Sequence, residues 1–176
     1  YLFQRATSKL DSFKRAEGLR FNLDGNLAVF KITPGFDTLR TLKLKKVKKN
    51  KWPKDSLCII SLKEDTLVKI AGLKKYALSK EGNTLCYLTN STIKAKGWKP
   101  FSKAKPPRKV NMLYVYTSYP SVFLALEGVT DFRLSDDGNR LAVLTELTIE
   151  KKKSYSISVY DLRSKNPVRE FDQAEK

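Results

Sequence analysis

The side chains that most often do chemistry are scarce in this chain. Among its 176 residues there is no histidine, so it cannot assemble a Ser-His-Asp set, a Cys-His set or a histidine metal site by itself. None of its eight glycines belongs to a Gly-x-Ser-x-Gly nucleophile turn or a glycine-rich phosphate loop. The adjacent carboxylates Asp136 and Asp137 stand in a turn and are interpreted as turn formers, not as an acid–base pair. We therefore predict no catalytic residue, metal ligand or cofactor.

The two cysteines are too few for a disulfide framework or a four-thiolate zinc site. Cys86 aligns with Ala28 and Ala142 in an internal repeat, which predicts a small buried residue without a redox role. Cys58 aligns with Tyr114 and is expected to face outward. Nothing near it in the sequence marks it as an activated thiolate.

Basic side chains are the abundant class that could bind a ligand. Lys and Arg number 35 against 18 Asp and Glu, which gives a net charge of +17. Two lysine-rich runs, with Trp52 near the first and Trp98 and Phe101 in the second, could hold anionic groups. The predicted contacts of this basic face are Lys43, Lys45, Lys46, Lys48, Lys49, Lys51, Lys94, Lys96, Lys99, Lys103, Lys105, Arg108 and Lys109.

Three interpretations of these runs stay open. They are solvated loops that add solubility, a site for an acidic protein or a membrane surface, or a nucleic-acid site. Nucleic acid is the least favoured partner, because lysine outnumbers arginine in the runs and no nucleic-acid module signature occurs. The stretch 38–49 mixes leucines with lysines and predicts either a short amphipathic helix or an extended arm. A weaker hypothesis is a glycan or peptide site at Trp52, Trp98 and Tyr119.

A unit that occurs three times must position these side chains. Its copies read RFNLDGNLAVF from residue 20, KYALSKEGNTLCYL from residue 75 and DFRLSDDGNRLAVL from residue 131. The turn glycines Gly25, Gly82 and Gly138 are 57 and 56 residues apart. Glycine suits such hairpin turns because it accepts a positive φ. Two further apolar elements follow each copy, and the alternation of apolar and polar residues indicates strands.

Four antiparallel strands in every 44 to 57 residues describe a β-propeller blade. We predict an all-β chain of about three four-stranded antiparallel blades, which is a partial β-propeller. A closed propeller needs four to eight blades, so we expect missing sequence to complete it. The alternative is an open sheet of six or more strands or a β-sandwich. The predicted limits are 1–18 for the end of a preceding blade, 19–72, 73–128 and 129–172 for the three blades, and 173–176 for a tail.

The positive charge is predicted to gather on one face of the propeller. The connections between the second and third strands are expected at 31–54, 90–109 and 146–153. Together they hold 19 of the 35 basic residues and three acidic ones, a net +16 that leaves the rest nearly neutral. Because all three take the same place in their blades, we expect them to emerge on one face and attract anionic partners.

A longer likeness accompanies the repeats. The stretch VFKITPGFDTLRTLKLKKVKKNKWPKDSLCIISL, followed by IAGLKKYALSKEGNTLCYLTN, resembles the N-terminal β-propeller region of the prolyl oligopeptidase family of serine peptidases. The likeness is greatest to the large members found in Bacteroidetes. The segments LEGVTDFRLSDDGNRLAVLT and SISVYDLRSKNPVREF are similar to blades of the same proteins, so the resemblance covers nearly the whole chain.

In that family an α/β-hydrolase domain after the propeller carries the catalytic Ser, Asp and His, and the propeller restricts access to short or unfolded peptides. The resemblance implies a non-catalytic gating segment, whose partners are the remaining blades, the hydrolase domain and the parent's peptide substrate. It also implies a periplasmic or extracellular location, although neither a signal peptide nor a transmembrane span is visible in the sequence. The alternative is a β-propeller interaction module that binds an acidic partner through lysine-rich loops on one face.

Overall fold

The computed structural model describes residues 2–4, 9–93, 108–117, 123–149, 152–164 and 167–172. A two-stranded pair, β1 (Leu2–Gln4) with β2 (Lys9–Asp11), precedes three four-stranded antiparallel sheets. Each of the three sheets is a meander in which strands that follow one another in the chain are hydrogen-bonded neighbours. The predicted fold class, about three four-stranded antiparallel blades of a partial β-propeller, is confirmed by this topology.

The first sheet holds β3 (Ala16–Phe21), β4 (Leu27–Ile32), β5 (Ser56–Ser61) and β6 (Thr66–Ala71), and helix α1 (Phe36–Leu44) with a 3-10 helix (Lys49–Lys51) lies between β4 and β5. The second sheet holds β7 (Leu73–Leu78), β8 (Leu85–Ile93), β9 (Arg108–Tyr116) and β10 (Leu124–Glu127). The third holds β11 (Val129–Leu134), β12 (Arg140–Ile149), β13 (Lys152–Asp161) and β14 (Pro167–Asp172). The blade limits given above stay a prediction.

Two predicted connections are shorter in the structure. Strand β9 already begins at Arg108, so Arg108 and Lys109 belong to a strand and not to a loop. The stretch 146–153 was expected to be a loop but lies mostly in β12 and β13. Thr148 and Ile149 in this stretch favour strand, and beside it the Thr145 and Ser156 hydroxyls are bonded across the pair at 2.9 Å. No helix of the described residues is long and apolar enough to cross a bilayer.

Consecutive sheets pack face to face. We call the face of a sheet that looks toward the next sheet in the chain its forward face, and the opposite one its backward face. On the forward face of the first sheet, Val29, Leu57 and Ile59 are fully buried. They share an apolar cluster with Leu85 and Tyr87 on the backward face of the second sheet.

The second interface repeats this arrangement. Cys86, Leu88, Leu113 and Val115 form the forward face of the second sheet and are buried in one cluster with Phe132 of the third sheet. Burial of such a side chain contributes about 1.5–3 kcal/mol. The two interfaces are therefore the main apolar core of the chain.

The strand register corrects the repeat alignment around Cys86. Cys86 pairs with Val115 as Val29 pairs with Ile59, so its structural equivalent in the first sheet is Val29 and not Ala28. The alignment is wrong by one residue because it places a gap after the glycine of the first repeat, whereas Val29, Cys86 and Ala142 each follow their turn glycine by four residues. The predicted buried position of Cys86 is confirmed, since its exposed fraction is 0%.

The backward face of the first sheet is also covered over its middle strands. Ala28, Phe30, Cys58 and Ile60 form a buried cluster there, and the ring of Phe13 lies 4.9 Å from the ring of Phe30. Cys58 was expected to face outward, and this prediction is wrong. It lies on a middle strand of a sheet whose two faces are both packed, so a residue pointing to either face is buried.

Candidate interaction surface

The first of the two lysine-rich runs begins at Lys43 in the last turn of helix α1 and continues past the helix to the 3-10 helix. Helix α1 begins after Gly35, whose carbonyl accepts a 3.0 Å hydrogen bond from the backbone N–H of Leu39. Asp37 in the first turn and Lys43 in the last turn have the charges that favour the two ends of the helix dipole. Of the two predicted conformations for this stretch, the structure shows the short helix.

The helix ends in a Schellman motif. The N–H of Lys46 donates to the carbonyl of Lys43, and the N–H of Val47 donates to the carbonyl of Leu42, both at 3.0 Å. Lys46 takes a φ of 51°, in the left-handed region where glycine is usual. The chain thus turns sharply at a lysine and directs the following residues away from the helix axis.

One side of this segment folds onto itself. Leu39, Leu42, Val47 and Trp52 are half-buried, whereas the residues between them are exposed. The indole N–H of Trp52 donates a 2.8 Å hydrogen bond to the carbonyl of Val47. Trp52 therefore helps to hold the segment together.

The other side is strongly cationic. We call residues 40–54 the basic segment, because they contain eight basic side chains and no acidic one. All eight are exposed, and none forms an ion pair with a carboxylate of a described residue. They include the six predicted contacts Lys43, Lys45, Lys46, Lys48, Lys49 and Lys51. The segment is a dense positive surface whose charge is not neutralised within the described structure.

Most of the second predicted run lies outside the described residues. This applies to the basic residues Lys94, Lys96, Lys99, Lys103 and Lys105 and to the aromatic residues Trp98, Phe101 and Tyr119. Arg108 and Lys109 are the first residues of β9. That both runs lie on one face of the propeller therefore stays a prediction.

At the opposite end of the sheets, the turns between first and second strands are bonded to one another. The side-chain amide of Asn22 donates to the side-chain oxygen of Asn83 at 2.8 Å, and that of Asn83 donates to the carboxylate of Asp24 at 2.7 Å. The backbone N–H of Leu27 donates to the Asn22 side chain at 2.9 Å, which closes the first turn. This network was not predicted, although Asn83, the asparagine that follows the turn glycine of the second repeat, was a signal for it.

The next pair of turns is joined through the carbonyl of Asp136. It accepts hydrogen bonds from the backbone N–H groups of Lys80 and Glu81, both at 3.0 Å. Gly82 differs from Gly25 and Gly138 in having no positive φ, so the predicted reason for this glycine is wrong. A Cβ at Gly82 would lie 2.6 Å from the carbonyl oxygen of Asp137, so close approach of the two turns requires glycine there.

The two adjacent carboxylates of the third turn have structural partners. Asp136 forms an ion pair with Lys80 at 2.8 Å. Hydrogen bonds from the hydroxyl of Ser135 and then from the backbone and side chain of Asn139 lower the pKa of Asp137 to about 2. Asp137 therefore acts as the predicted turn former and is ionised at neutral pH, whereas the carboxylate of Asp136 links the third sheet to the second.

A small polar cavity of about 190 Å³ opens beside the first of these turn contacts. Asn22, Asn26 and Asn83 line it together with Asp24 and Glu64, and the amide of Asn22 is bonded to both other asparagines. Within the described part of the chain, no group of three His, Cys, Asp or Glu side chains is placed to hold a metal ion.

An ion pair also joins the second and third sheets. The ammonium of Lys75 binds the carboxylate of Asp131, donates to the carbonyl of Phe132 at 2.7 Å and lies 5.1 Å from the centre of the Phe132 ring. The hydrogen bond from Lys75 is the main reason why the pKa of Asp131 is below its usual value. Lys75 is thus a bridge between sheets.

Neither thiol is activated. Burial raises the pKa of the Cys86 thiol to about 12. Burial also raises the pKa of Cys58, although the charge of Lys69 acts in the opposite direction. Both cysteines are free and buried, which matches a packing role.

Comparison with known proteins finds likeness in structure only. No protein-family model matches the chain, and no curated protein matches it in sequence. Among solved structures, the β-propeller domain of the Trilobed protease from Pyrococcus furiosus is similar at 14% identity and a TM-score of 0.49, over 93% of this chain and 44% of that one. Pyrococcus horikoshii acylaminoacyl peptidase is similar at 13% identity and a TM-score of 0.49, over 92% of this chain and 25% of that one. This chain thus spans less than half the length of either protein.

Proposed function

We propose that this chain is a non-catalytic β-propeller segment of a prolyl-oligopeptidase-like serine peptidase, in which it restricts the access of peptides to an active site on another domain. The observation that carries the proposal is that both outer faces of the three-sheet array leave apolar side chains bare. The same positions are buried wherever one sheet meets another.

The forward face of the third sheet is bare. Ala142 pairs with Val159 as Cys86 pairs with Val115, so these positions are equivalent. In the second sheet this face is fully covered, and Leu113 has an exposed fraction of 0%. Its equivalent in the third sheet, Ile157, is 46% exposed.

The backward face of the first sheet is bare along β3. Phe21 is paired with Ala28, and Leu78 is paired with Leu85 at the equivalent position of the second sheet. Leu78 is 6% exposed, whereas Phe21 is 48% exposed. An apolar side chain that is buried between two sheets is therefore open to solvent at the end of the array.

A further four-stranded sheet is the occupant that fits the forward face of the third sheet, which offers the same strand register and the same kind of apolar residues as the faces that already receive a sheet. On the backward face of the first sheet the middle strands are already covered, and further strands would fit the bare part along β3. Covering them would also remove large apolar patches that otherwise promote association. The array is accordingly interpreted as an arc of a larger propeller.

The peptidase part of the proposal is supported by the sequence resemblance described above. It agrees with the lack of histidine and of a Gly-x-Ser-x-Gly segment in the chain, since the family places its catalytic residues in a separate domain. We extend the proposal to a Bacteroidetes parent that is exported to the periplasm or the cell exterior.

The parent gene provides the first test. The region downstream of this chain is expected to encode a Gly-x-Ser-x-Gly segment followed by an Asp and a His. The purified parent should react with a fluorophosphonate probe and cleave short peptides faster than a folded protein that contains the same sequence. A downstream region without these motifs would reject the peptidase assignment, and equal cleavage of both substrates would reject the gating role.

A substitution tests the bare face separately. In the parent, Ile157→Ser should lower the free energy of unfolding by about 2–5 kcal/mol, as truncation of a buried isoleucine does. The control is Leu44→Ser, since Leu44 is 74% exposed on helix α1 and should change stability by less than about 0.5 kcal/mol. Equal, small effects of the two substitutions would show that no sheet covers Ile157.

A second candidate function is an interaction module that binds an acidic partner through the basic segment. The observation that favours it is the exposure of eight basic side chains, none of which forms an ion pair with the carboxylate of a described residue. Binding to polyglutamate that weakens with added salt would support it, because exposed charges are screened. No binding at low salt would exclude it.

A further inference from the structure

We propose that helix α1 and the rest of the basic segment dock on the anionic headgroup surface of a lipid bilayer. The inference rests on the second candidate function and names its partner. It depends on apolar side chains that lie among the lysines.

The outward face of α1 is mixed in character. Phe36, Arg40, Lys43 and Leu44 follow one another at spacings that place them on one side of a helix. Phe36 is 75% exposed and Leu44 is 74% exposed, and both basic side chains are exposed as well. Two apolar side chains at the ends of the helix, about 12 Å apart along its axis, thus flank a basic centre.

This arrangement suits a lipid bilayer whose headgroups are anionic and whose acyl chains lie directly beneath them. Helices that bind in the plane of a membrane place apolar side chains at the boundary of the acyl chains and basic ones at the headgroups. Each lysine near an anionic surface strengthens binding about fivefold. The basic segment carries seven lysines and one arginine, so charge supplies most of the expected affinity.

Two observations favour lipid over the other anionic partners. The segment uses mostly lysine, a point charge without the planar fork that binds single carboxylates and phosphates in a fixed geometry, and such charges suit the diffuse field of a lipid surface. Trp52 is half-buried with its indole N–H bonded to Val47, so the aromatic side chain nearest the lysines is already engaged. Stacking of successive nucleic-acid bases needs several open aromatic rings. Among the described residues of helix α1 and the basic segment, Phe36 is the one open aromatic side chain.

The test uses the full-length protein and sedimentation with vesicles. Vesicles of phosphatidylglycerol and phosphatidylcholine should bind it at low salt, and vesicles of pure phosphatidylcholine should not. Replacing Lys43, Lys45 and Lys49 by Gln should weaken binding about a hundredfold. The control replaces Lys63, Lys69 and Lys74 by Gln, which removes the same charge from exposed lysines outside the basic segment. It should reduce binding much less.

A second variant separates lipid from other anions. Leu44→Ser should weaken binding to the anionic vesicles several-fold and leave binding to polyglutamate and to a DNA duplex unchanged. Binding to polyglutamate without binding to vesicles would overturn the lipid proposal and keep the second candidate function. Tighter binding to DNA than to vesicles would also overturn it. Binding to none of them would reject both ideas and leave the propeller-segment proposal standing.

Discussion

Substitution of Gly82 by alanine tests whether the turns of neighbouring sheets interlock as described. The added Cβ would lie 2.6 Å from the carbonyl oxygen of Asp137 and 3.1 Å from the hydroxyl of Ser79. Ordinary contact begins near 3.4 Å, so the two turns must separate by roughly 0.8 Å. The carbonyl cannot yield easily, because the neighbouring carbonyl of Asp136 is held by two backbone hydrogen bonds.

The size of the effect follows from two opposing terms. Forcing extra volume into a packed site costs about 1–3 kcal/mol. Replacing glycine by alanine also lowers the conformational entropy of the unfolded chain, which raises the free energy of unfolding by about 0.4–1 kcal/mol. We therefore expect Gly82→Ala to lower the free energy of unfolding by about 1–2 kcal/mol. For a protein of this size each kcal/mol corresponds to about 2–4 °C in Tm.

The assay is thermal unfolding followed by circular dichroism, with Gly35→Ala as the matched control. A Cβ at Gly35 would lie 3.5 Å from the nearest atom, and the residue has an ordinary φ of −63°. Its substitution should leave Tm nearly unchanged, because the loss of a good N-cap residue offsets the entropic gain. If Gly82→Ala proves as harmless as Gly35→Ala, the close approach of the turns is refuted.

Three further predictions concern other parts of the molecule. Lys46→Gly should raise the free energy of unfolding by up to about 1 kcal/mol in urea titrations, since glycine occupies the left-handed φ without strain; no gain would contradict the Schellman turn. Cys86 should resist a thiol reagent at pH 8 in the folded protein and react at once in denaturant, because its pKa is about 12 when buried; rapid reaction under native conditions would show an open interface. The pKa of Asp131 is lowered in the folded state, so its ion pair with Lys75 contributes stability above the unfolded carboxyl pKa that is lost as the pH falls through the folded pKa. Asp131→Asn should therefore lower stability at pH 7 and flatten the acid limb of a stability–pH curve, and an unchanged acid limb would rule out the pair.

The repeated turn made the architecture predictable. A Gly-Asn pair between two apolar runs forces a hairpin, and three such hairpins at nearly equal spacing require sheets that are built alike. The same signal did not reveal why each glycine is needed. Gly25 and Gly138 have the positive φ that a turn sequence suggests, but Gly82 is glycine because a neighbouring turn lies against it. The close approach that requires Gly82 leaves no pattern in the sequence around it.

The faces of the strands were harder to predict. Alternation distinguishes a buried from an exposed face only when one face meets solvent, and Cys58 lies in a sheet that is covered on both. The register error at Cys86 arose from a gap placed after the glycine of the first repeat, since Val29 and Cys86 each follow their turn glycine by four residues. The polar residue that closes each hairpin, Asn22 or Ser79, supports this ungapped count, because its side chain accepts a hydrogen bond from the N–H at the start of the returning strand.

The candidate surface was predicted in part. The charge of Lys43 and its neighbours could be read directly, and their exposure follows because ammonium groups are rarely buried without partners. The helical form could not be chosen in advance, since the helix lacks a side-chain N-cap and has Lys46 instead of a glycine at the left-handed position that follows its C-cap. The placement of Phe36 and Leu44 beside the charges appears only once the helix is known.

The hydrogen bonds between the turns of neighbouring sheets affect where the chain unfolds locally. They join only adjacent sheets, so the second sheet is held on both sides, whereas the first and third are held by one four-stranded neighbour each. Local unfolding costs the least free energy in the sheet that has the fewest contacts to lose. Amide hydrogens should exchange slowest in β8 and β9 and faster toward both ends, and a protease acting on rare openings would shorten the array from its ends before cutting its centre.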